Sequence, residues 1–443
     1  MPERKRLLTD RRFLPYFLTQ AIAAFNDNVF KNAVILLIVF SSAAPDLLVN
    51  LCAGAFILPF FFASATAGQV AERMPKARLI RWLKLSEVAI MALGAVALAW
   101  HAMAIAVVVL FLAGVQAAFF GPVKFSLLPQ ALRDDELVEA NALIEMATFL
   151  AILLGTITGA VLVAGAGGPV RVGVVMVAIA VLGYLTSRAI PTLPPVMPSL
   201  RVDWNPLPEM LRLARLTVRE RSVGIAIFGV SWFWLLGATY LTQLPSFTRG
   251  ILGGDEHVVT LLLAVFSVGI GLGSLLCARW SRGRLEPGLV LIGALGISVF
   301  GGHLAIAQSA PWQGGTLRGA VAFVADPASW LVIADLVMIG AFGGLYVVPL
   351  QALVQLRTEP TFRSRIIAAN NIWNALFLVG SAVLAGILLG PVGLRIPALF
   401  GVLAILNLMV AGALAGSLPE FVYRTKVLLG RGKSSSPFGG SGS

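Results

Sequence analysis

Two cysteines and three histidines are all that 443 residues offer a disulfide or a transition metal. Cys52 and Cys277 lie far apart, each inside an apolar stretch, so they make no disulfide framework. His101, His257 and His303 have no ligand spacing among themselves or with a cysteine, which excludes a zinc site of the usual patterns. Charge is scarce as well: Asp, Glu, Lys and Arg make up 12% of the chain, against about a quarter in soluble domains. Signatures of catalysis are missing too. There is no GxxxxGK[ST] phosphate loop, no GxSxG elbow, no HExxH, and no histidine followed five residues later by an aspartate, as lipid acyltransferases require. Gly269, Gly271 and Gly273 imitate a GxGxxG, but they sit inside an apolar run with no strand before them, so close helix packing explains them better. No catalytic residue, metal ligand or cofactor is expected.

What is present is grease. Apolar residues form 58% of the chain and the mean hydropathy is +0.89, more than a water-soluble fold can hide. Runs of the roughly 20 apolar residues needed to cross the hydrocarbon recur twelve times, over approximately 13–40, 46–70, 79–100, 103–120, 137–164, 169–190, 222–247, 257–280, 287–308, 329–350, 366–390 and 396–416. The first run follows a basic stretch like a signal peptide, but it is too long and lacks a small-residue cleavage site, so it reads as a retained helix. The net charge of +12 would suggest nucleic acid in a soluble protein; here its distribution decides. Of the 33 Lys and Arg, 28 fall at alternate breaks and four (Arg171, Arg249, Arg318, Arg395) at the others, while Lys31 lies within the first run. The positive-inside rule assigns the basic breaks to the cytoplasm, together with both termini. The charge is a topology signal, and nucleic acid is excluded as a partner.

The longest basic break, residues 191–221, divides the chain into six runs over 13–190 and six over 222–416, flanked by a cytoplasmic segment 1–12 and a tail 417–443. The tail's Gly- and Ser-rich end from Gly430 is expected to be disordered. Within the break, Leu207, Met210, Leu211, Ala214 and Val218 follow helical spacing, with Arg212, Arg215 and Arg219 on another face and Trp204 at the start, the pattern of a helix lying on the membrane surface. Two echoes relate the halves: Gly68 to Arg78 with Gly273 to Arg284, and Pro129-Gln-Ala-Leu132 leading to Ala140-Asn141 with Pro349-Leu-Gln-Ala-Leu353 leading to Ala369-Asn370. Six-helix halves related by duplication, with the substrate between them, are a recurrent transporter plan.

Asn26, Asp27, Asn28, Lys31 and Asn32 interrupt the first run. Asp27 falls near mid-bilayer, where charge is expensive and marks function by default. Asp27 and Lys31, four apart, would either pair internally or line a polar cavity for a charged headgroup or a coupling ion. Glu145, one turn after Asn141, would extend that cavity or serve as a gate or interhelix contact. His303 and Asp335 would relay protons or simply meet water near the outer side. Glu72, Arg73, Lys76 and Arg78 form a compact charged turn suited to clamping helix ends on the cytoplasmic side, a gating role.

The loop Gly68 to Ile80 resembles the signature loop of the major facilitator superfamily, with Glu72 for the usual Asp and Pro75 for a Gly. Phe17-Leu-Thr-Gln-Ala-Ile-Ala-Ala-Phe-Asn-Asp-Asn28-Val-Phe-Lys-Asn32, and Phe119-Phe-Gly-Pro-Val-Lys124 running through Glu139 and Glu145 to Gly155, resemble the bacterial lysophospholipid transporter family, especially its version fused to an acyltransferase and an acyl-carrier-protein synthetase. The resemblance implies an all-α membrane protein with the major facilitator fold of two six-helix bundles. It implies a monomeric flippase of the bacterial inner membrane that carries lysophosphatidylethanolamine and lysophosphatidylglycerol from the outer to the inner leaflet for reacylation, without ATP. It also implies Asp27, Asn28 and Lys124 as the polar part of the cavity, extended by Asn141 and Glu145, and a cytoplasmic acyltransferase/acyl-carrier-protein synthetase as partner. The chain ends soon after the twelfth run without those enzyme domains. A cavity with few charges and many apolar walls suits a single-chain amphiphile better than a sugar. A proton-coupled exporter of amphiphilic drugs, using Asp27 or Glu145, is the alternative; a scaffold for the reacylating enzymes is disfavoured, because docking needs no polar membrane interior.

Overall fold

The computed structural model describes residues 7–41, 45–308, 310 and 312–430. Residues 1–6 of the N-terminal segment and the tail after Gly430 lie outside them. Among the described residues no strand is formed, and twelve helices are long and apolar enough to cross a bilayer. They are α1 (Leu14–Ser41), α2 (Pro45–Arg73), α3 (Lys76–Ala99), α4 (Met103–Ala131), α5 (Leu137–Val163), α6 (Gly168–Arg188), α8 (Arg221–Gly250), α9 (Glu256–Ser281), α10 (Gly288–Ala307), α12 (Ser329–Arg357), α13 (Arg363–Leu389) and α14 (Ile396–Ser417). Three shorter helices stand between or after them: α7 (Pro206–Arg219), α11 (Ala320–Ala325) and α15 (Pro419–Leu428). A multi-pass membrane protein built wholly of helices follows from backbone chemistry, since hydrocarbon offers no partner to an unpaired N–H or C=O.

The helices outrun the apolar windows. The fourth ends at Ala131 rather than 120, continuing through Pro122 and Pro129, and the tenth, which already holds Pro349, ends at Arg357 rather than 350. Hydropathy ends where hydrocarbon ends, whereas a helix continues into the headgroup region, and packed neighbours satisfy the carbonyls that an internal proline frees. Lys124, counted at a basic break, consequently lies inside α4, and Lys84, counted at another, lies well inside α3, within the run read over 79–100.

The chain forms two compact units. Unit 1 comprises 1–140, 147–221 and 355–375; unit 2 comprises 141–146, 222–354 and 376–443. In unit 1, α2 lies along α4 and α3 along α6, around an apolar cluster that includes Phe30, Met91, Leu98, Leu110 and Met176. In unit 2, α10 lies along α14. There α9 and α12 meet through glycine: a Cβ at Gly269 or Gly273 would strike the backbone of Val337 or Ala341, and one at Gly340 or Gly344 the backbone of Phe266, Ile270 or Ser274. The seam is therefore backbone against backbone, the close approach that small residues four apart allow in membranes.

Helix α7 packs on unit 1 through Leu213, which joins Ala65 of α2 and Ala368 and Ala369 of α13, with Met210 alongside. Glu209 and Thr217 are buried on the same side. Leu207 and Leu211 are 61% exposed and Trp204 72% exposed. The apolar stripe read from the sequence thus points largely away from the protein, as a helix resting on a leaflet requires.

A buried charged cluster and a clamp at the basic end

Helix α1 is apolar at both ends and polar in its middle, and its neighbours answer that polarity with charge. Asn26 is fully buried, and its Nδ2 donates to Glu87 Oε1 of α3 at 3.3 Å. Glu87 forms an ion pair with Lys84 one turn earlier, and Gln116 Nε2 of α4 donates to the same carboxylate at 3.2 Å. Lys84 Nζ lies 4.7 Å from the centroid of Phe120. Lys84 is 0% and Glu87 1% exposed. A pair so deprived of water depends on the partners it keeps, and here the Glu87 carboxylate accepts from Asn26 and Gln116 besides Lys84.

Asp27 is half-buried beside this network, in electrostatic reach of Glu87, Lys84 and Lys31. It does not close an ion pair with Lys31, whose Nζ instead lies 5.8 Å from the centroid of Phe56 on α2. Asp27 thus keeps its carboxylate uncommitted to any described side chain within bonding distance, while two lysines and a second carboxylate set the local field. Asn28 turns its amide back to Ala24 O at 2.7 Å, and Asn32 donates to Thr156 O at 2.7 Å, tying α1 to α5. A second polar group lies towards the basic end of α1: Lys124 Nζ meets Thr148 Oγ1 at 3.4 Å, Thr148 reaches Gln20 at 3.5 Å, and Tyr16 donates to Lys124 O at 2.8 Å. Of the residues expected to line the cavity, Asp27, Asn28, Lys31 and Lys124 therefore belong to unit 1. Asn141 and Glu145 belong to unit 2, where Glu145 Oε1 accepts from Gln351 Nε2 of α12 at 3.4 Å and both residues are buried.

At the basic end of unit 1, the charged turn divides. Glu72 is fully buried, accepting Arg365 Nε at 2.8 Å and the Arg365 backbone N–H at 3.3 Å. Arg365 also approaches Glu209 of α7 at 3.8 Å and stacks 4.4 Å from the Phe362 ring centroid. Lys76 is buried next to Glu72, whereas Arg73 and Arg78 are exposed and make no ion pair with a described residue. Gly68 lets this join form, since a Cβ there would strike Ala368 and the Arg365 backbone. The clamp thus ties α2 to α13 and α7 through Glu72, with Arg365 and Glu209 as partners that the sequence reading did not name.

A family model described as Major Facilitator Superfamily matches residues 16–317. Among curated relatives, lysophospholipid transporter LplT of Enterobacter sp. (strain 638) is 30% identical over 413 residues, covering 88% of this chain and 93% of its own. The chain belongs to the Major Facilitator Superfamily and, within it, to the lysophospholipid transporter family. LplT of Serratia proteamaculans (strain 568) is 29% identical over 362 residues, covering 79% of this chain and 81% of its own. Solved facilitators share the fold at low identity. The human organic anion transporter MFSD10 (TETRAN) gives a TM-score of 0.72 at 15% identity, with 94% of this chain and 100% of that chain covered. FucP in the outward conformation gives 0.66 at 14%, with 92% and 100% covered.

Lys84 and Glu87 are the members of this facilitator's cluster that sequence reasoning missed. Their signal was present: opposite charges three residues apart inside an apolar run, where nothing but a partner in the same helix or the next could satisfy them. Arg365 carried no local signal, because its partner lies 293 positions away.

Proposed function

We propose that this facilitator moves lysophospholipids, lysophosphatidylethanolamine and lysophosphatidylglycerol, from the outer to the inner leaflet of the bacterial inner membrane, where they are reacylated. It does so by alternating access without ATP, with both termini in the cytoplasm and a cytoplasmic acyltransferase/acyl-carrier-protein synthetase taking the product. The observation that carries the reading is Asp27: a carboxylate with no bonded partner among the described residues, halfway along α1, beside the Lys84–Glu87 pair and in electrostatic reach of Lys31. A glycerophosphate headgroup needs a cation, and a zwitterionic one an ammonium acceptor as well; Lys31 and Lys124 of unit 1 supply the first and Asp27 the second. The names of the curated relatives support the same substrate class. Glu72 and its partner Arg365 act as the cytoplasmic gate, with Lys76 beside them; Arg73 and Arg78, on the exposed side, hold the turn at the anionic leaflet.

The test is uptake of labelled lysophosphatidylethanolamine from the outer leaflet of proteoliposomes. Protein-dependent inward movement that Asp27→Asn abolishes, while the variant still inserts and purifies normally, is the expected result. Folded protein that moves no lysolipid with or without a proton gradient, yet extrudes an amphiphilic drug when the gradient is imposed, would overturn it in favour of the drug-exporter reading.

A further inference from the structure

Unit 2 holds a polar pair that the proposed transport cycle leaves unused. His303 Nδ1 of α10 lies 3.0 Å from Asp335 Oδ1 and 2.8 Å from Oδ2 of α12. The carboxylate is 3% exposed; the imidazole side chain is half open, at 49%. His303 stands four residues before the end of α10 and Asp335 six after the start of α12, which is about 6–9 Å from the helix ends at 1.5 Å per residue. Those ends belong to the breaks with few basic residues, the outer side in the orientation proposed above. The imidazole is open on one side there, about a turn from the end of α10, and the carboxylate is closed off.

The groups around the pair do not balance its charge. From α8 it faces Tyr240, which is buried, stacks on Phe400 with centroids 4.8 Å apart, and lies in electrostatic reach of Asp335. From α9 comes Phe266, which carries no charge, with centroid 6.0 Å from Tyr240. Helix α14 has no titratable residue, and α10 has none besides His303. Helix α12 adds only Tyr346 and, at its far end, Arg357. The ionic groups of the same end are placed elsewhere: Arg249, Glu256, His257 and Arg395 are exposed, Asp255 caps α9 by accepting from the His257 and Val258 backbone N–H groups, and Arg318 is paired with Asp326. Among the described residues, Asp335 has no lysine or arginine partner.

An ionised carboxylate taken out of water without a counter-charge is costly enough that such a group neutralises instead. Here neutrality needs one proton. With a neutral imidazole donating Nδ1–H to the carboxylate, the pair carries −1; when Nε2 takes a proton from the open side, the pair becomes imidazolium and carboxylate and carries zero. We propose that His303 and Asp335 form a one-proton binding site in unit 2, loaded from the outer aqueous side through His303 Nε2. The site adds a proton ligand to the transporter reading, which it rests on only for the orientation. Its ligand is the hydrated proton and not a metal cation, because the half-open imidazole presents one nitrogen and the described residues add no further acidic ligand.

The test uses full-length protein in which His101 and His257 are replaced by Gln, so that His303 is the single histidine. Nitrogen-15 histidine spectra in lipid nanodiscs report the ring's protonation directly. Over a series from alkaline to acid, the ring is expected to pass from one protonated nitrogen to two. Asp335→Asn is expected to displace the pH interval of that passage, which a packing role for Asp335 would not do. A ring that keeps one form throughout, or an interval that Asp335→Asn leaves unmoved, would overturn the proposal. Should Asp335→Asn fail to purify, Asp335→Glu keeps the carboxylate and must retain the passage. The titration needs no substrate, so its failure overturns the proton site alone, while failure of lysolipid uptake overturns the transport reading alone.

Discussion

The polar centre of unit 1 and the polar pair of unit 2 solve one problem differently. In unit 1, Asp27 and Glu87 face Lys31 and Lys84, two of each sign, and the Lys84–Glu87 pair is sealed by Asn26 and Gln116. Charge there is matched by side chains that cannot leave. In unit 2, Asp335 has a histidine instead of a lysine, so its matching charge comes and goes with the solvent. A fixed counter-ion builds a permanent field, suitable for holding a headgroup, whereas a titrating one builds a field that the outer compartment can change. The same apolar scaffold carries both because each cluster sits where helices already pack closely.

The largest test of the contrast is Lys84→Met. It strands Glu87 in a dry interior, and breaking one partner of a buried pair costs about 3–5 kcal/mol. Thermal unfolding of the purified protein in detergent should register that loss, and Lys84→Met combined with Glu87→Met should recover most of it. Equal damage in the single and double variants would mean that packing against Phe120, not charge, holds α3 in place.

Next comes Asp27→Asn, which removes a carboxylate that no described side chain binds. At least a tenfold loss of lysolipid uptake is expected, about 1.4 kcal/mol or more in the barrier, with an unfolding temperature close to that of the parent. Asp335→Asn should be milder still in stability. An asparagine oxygen still accepts from the His303 Nδ1–H, so the change lies within about 1 kcal/mol, the usual scale of a single hydrogen bond; a loss as large as that of Lys84→Met would erase the distinction between the two regions.

The smallest effect belongs to the loop between α10 and α12 in unit 2. The Ala328 backbone N–H and then the Arg318 guanidinium hold the Asp326 carboxyl below its ordinary range. With the folded value depressed, this contribution is complete above about pH 4, the unfolded value, and fades as pH falls through the folded one. Limited proteolysis around residues 312–328 should accelerate only under strongly acidic conditions, and Asp326→Asn should make cleavage insensitive to pH.

How far the sequence discloses this molecule depends on the range of each interaction. The solvent is written into every residue, so twelve spans are legible at once. Asp27 is legible for the same reason, since a charge in hydrocarbon is improbable without a use. Helix ends were read short at Ala131 and Arg357 because hydropathy measures the bilayer and not the hydrogen-bond ladder. Lys84 was counted with the loop cations, though its partner stands three residues away, because a cation near a basic break looks like topology. Arg365 and Glu209 were beyond reach: their relation to Glu72 exists only after α2, α7 and α13 have met.

The glycine seam between α9 and α12 has a consequence for heredity. At Gly269, Gly273, Gly340 and Gly344 even a methyl group would enter the opposing main chain. Every single-base missense change in a glycine codon introduces something at least that large. A saturation survey of this gene would therefore show four intolerant positions, spaced by four on each of two helices and embedded in stretches where one apolar residue readily replaces another. That row would mark a helix contact through genetics alone.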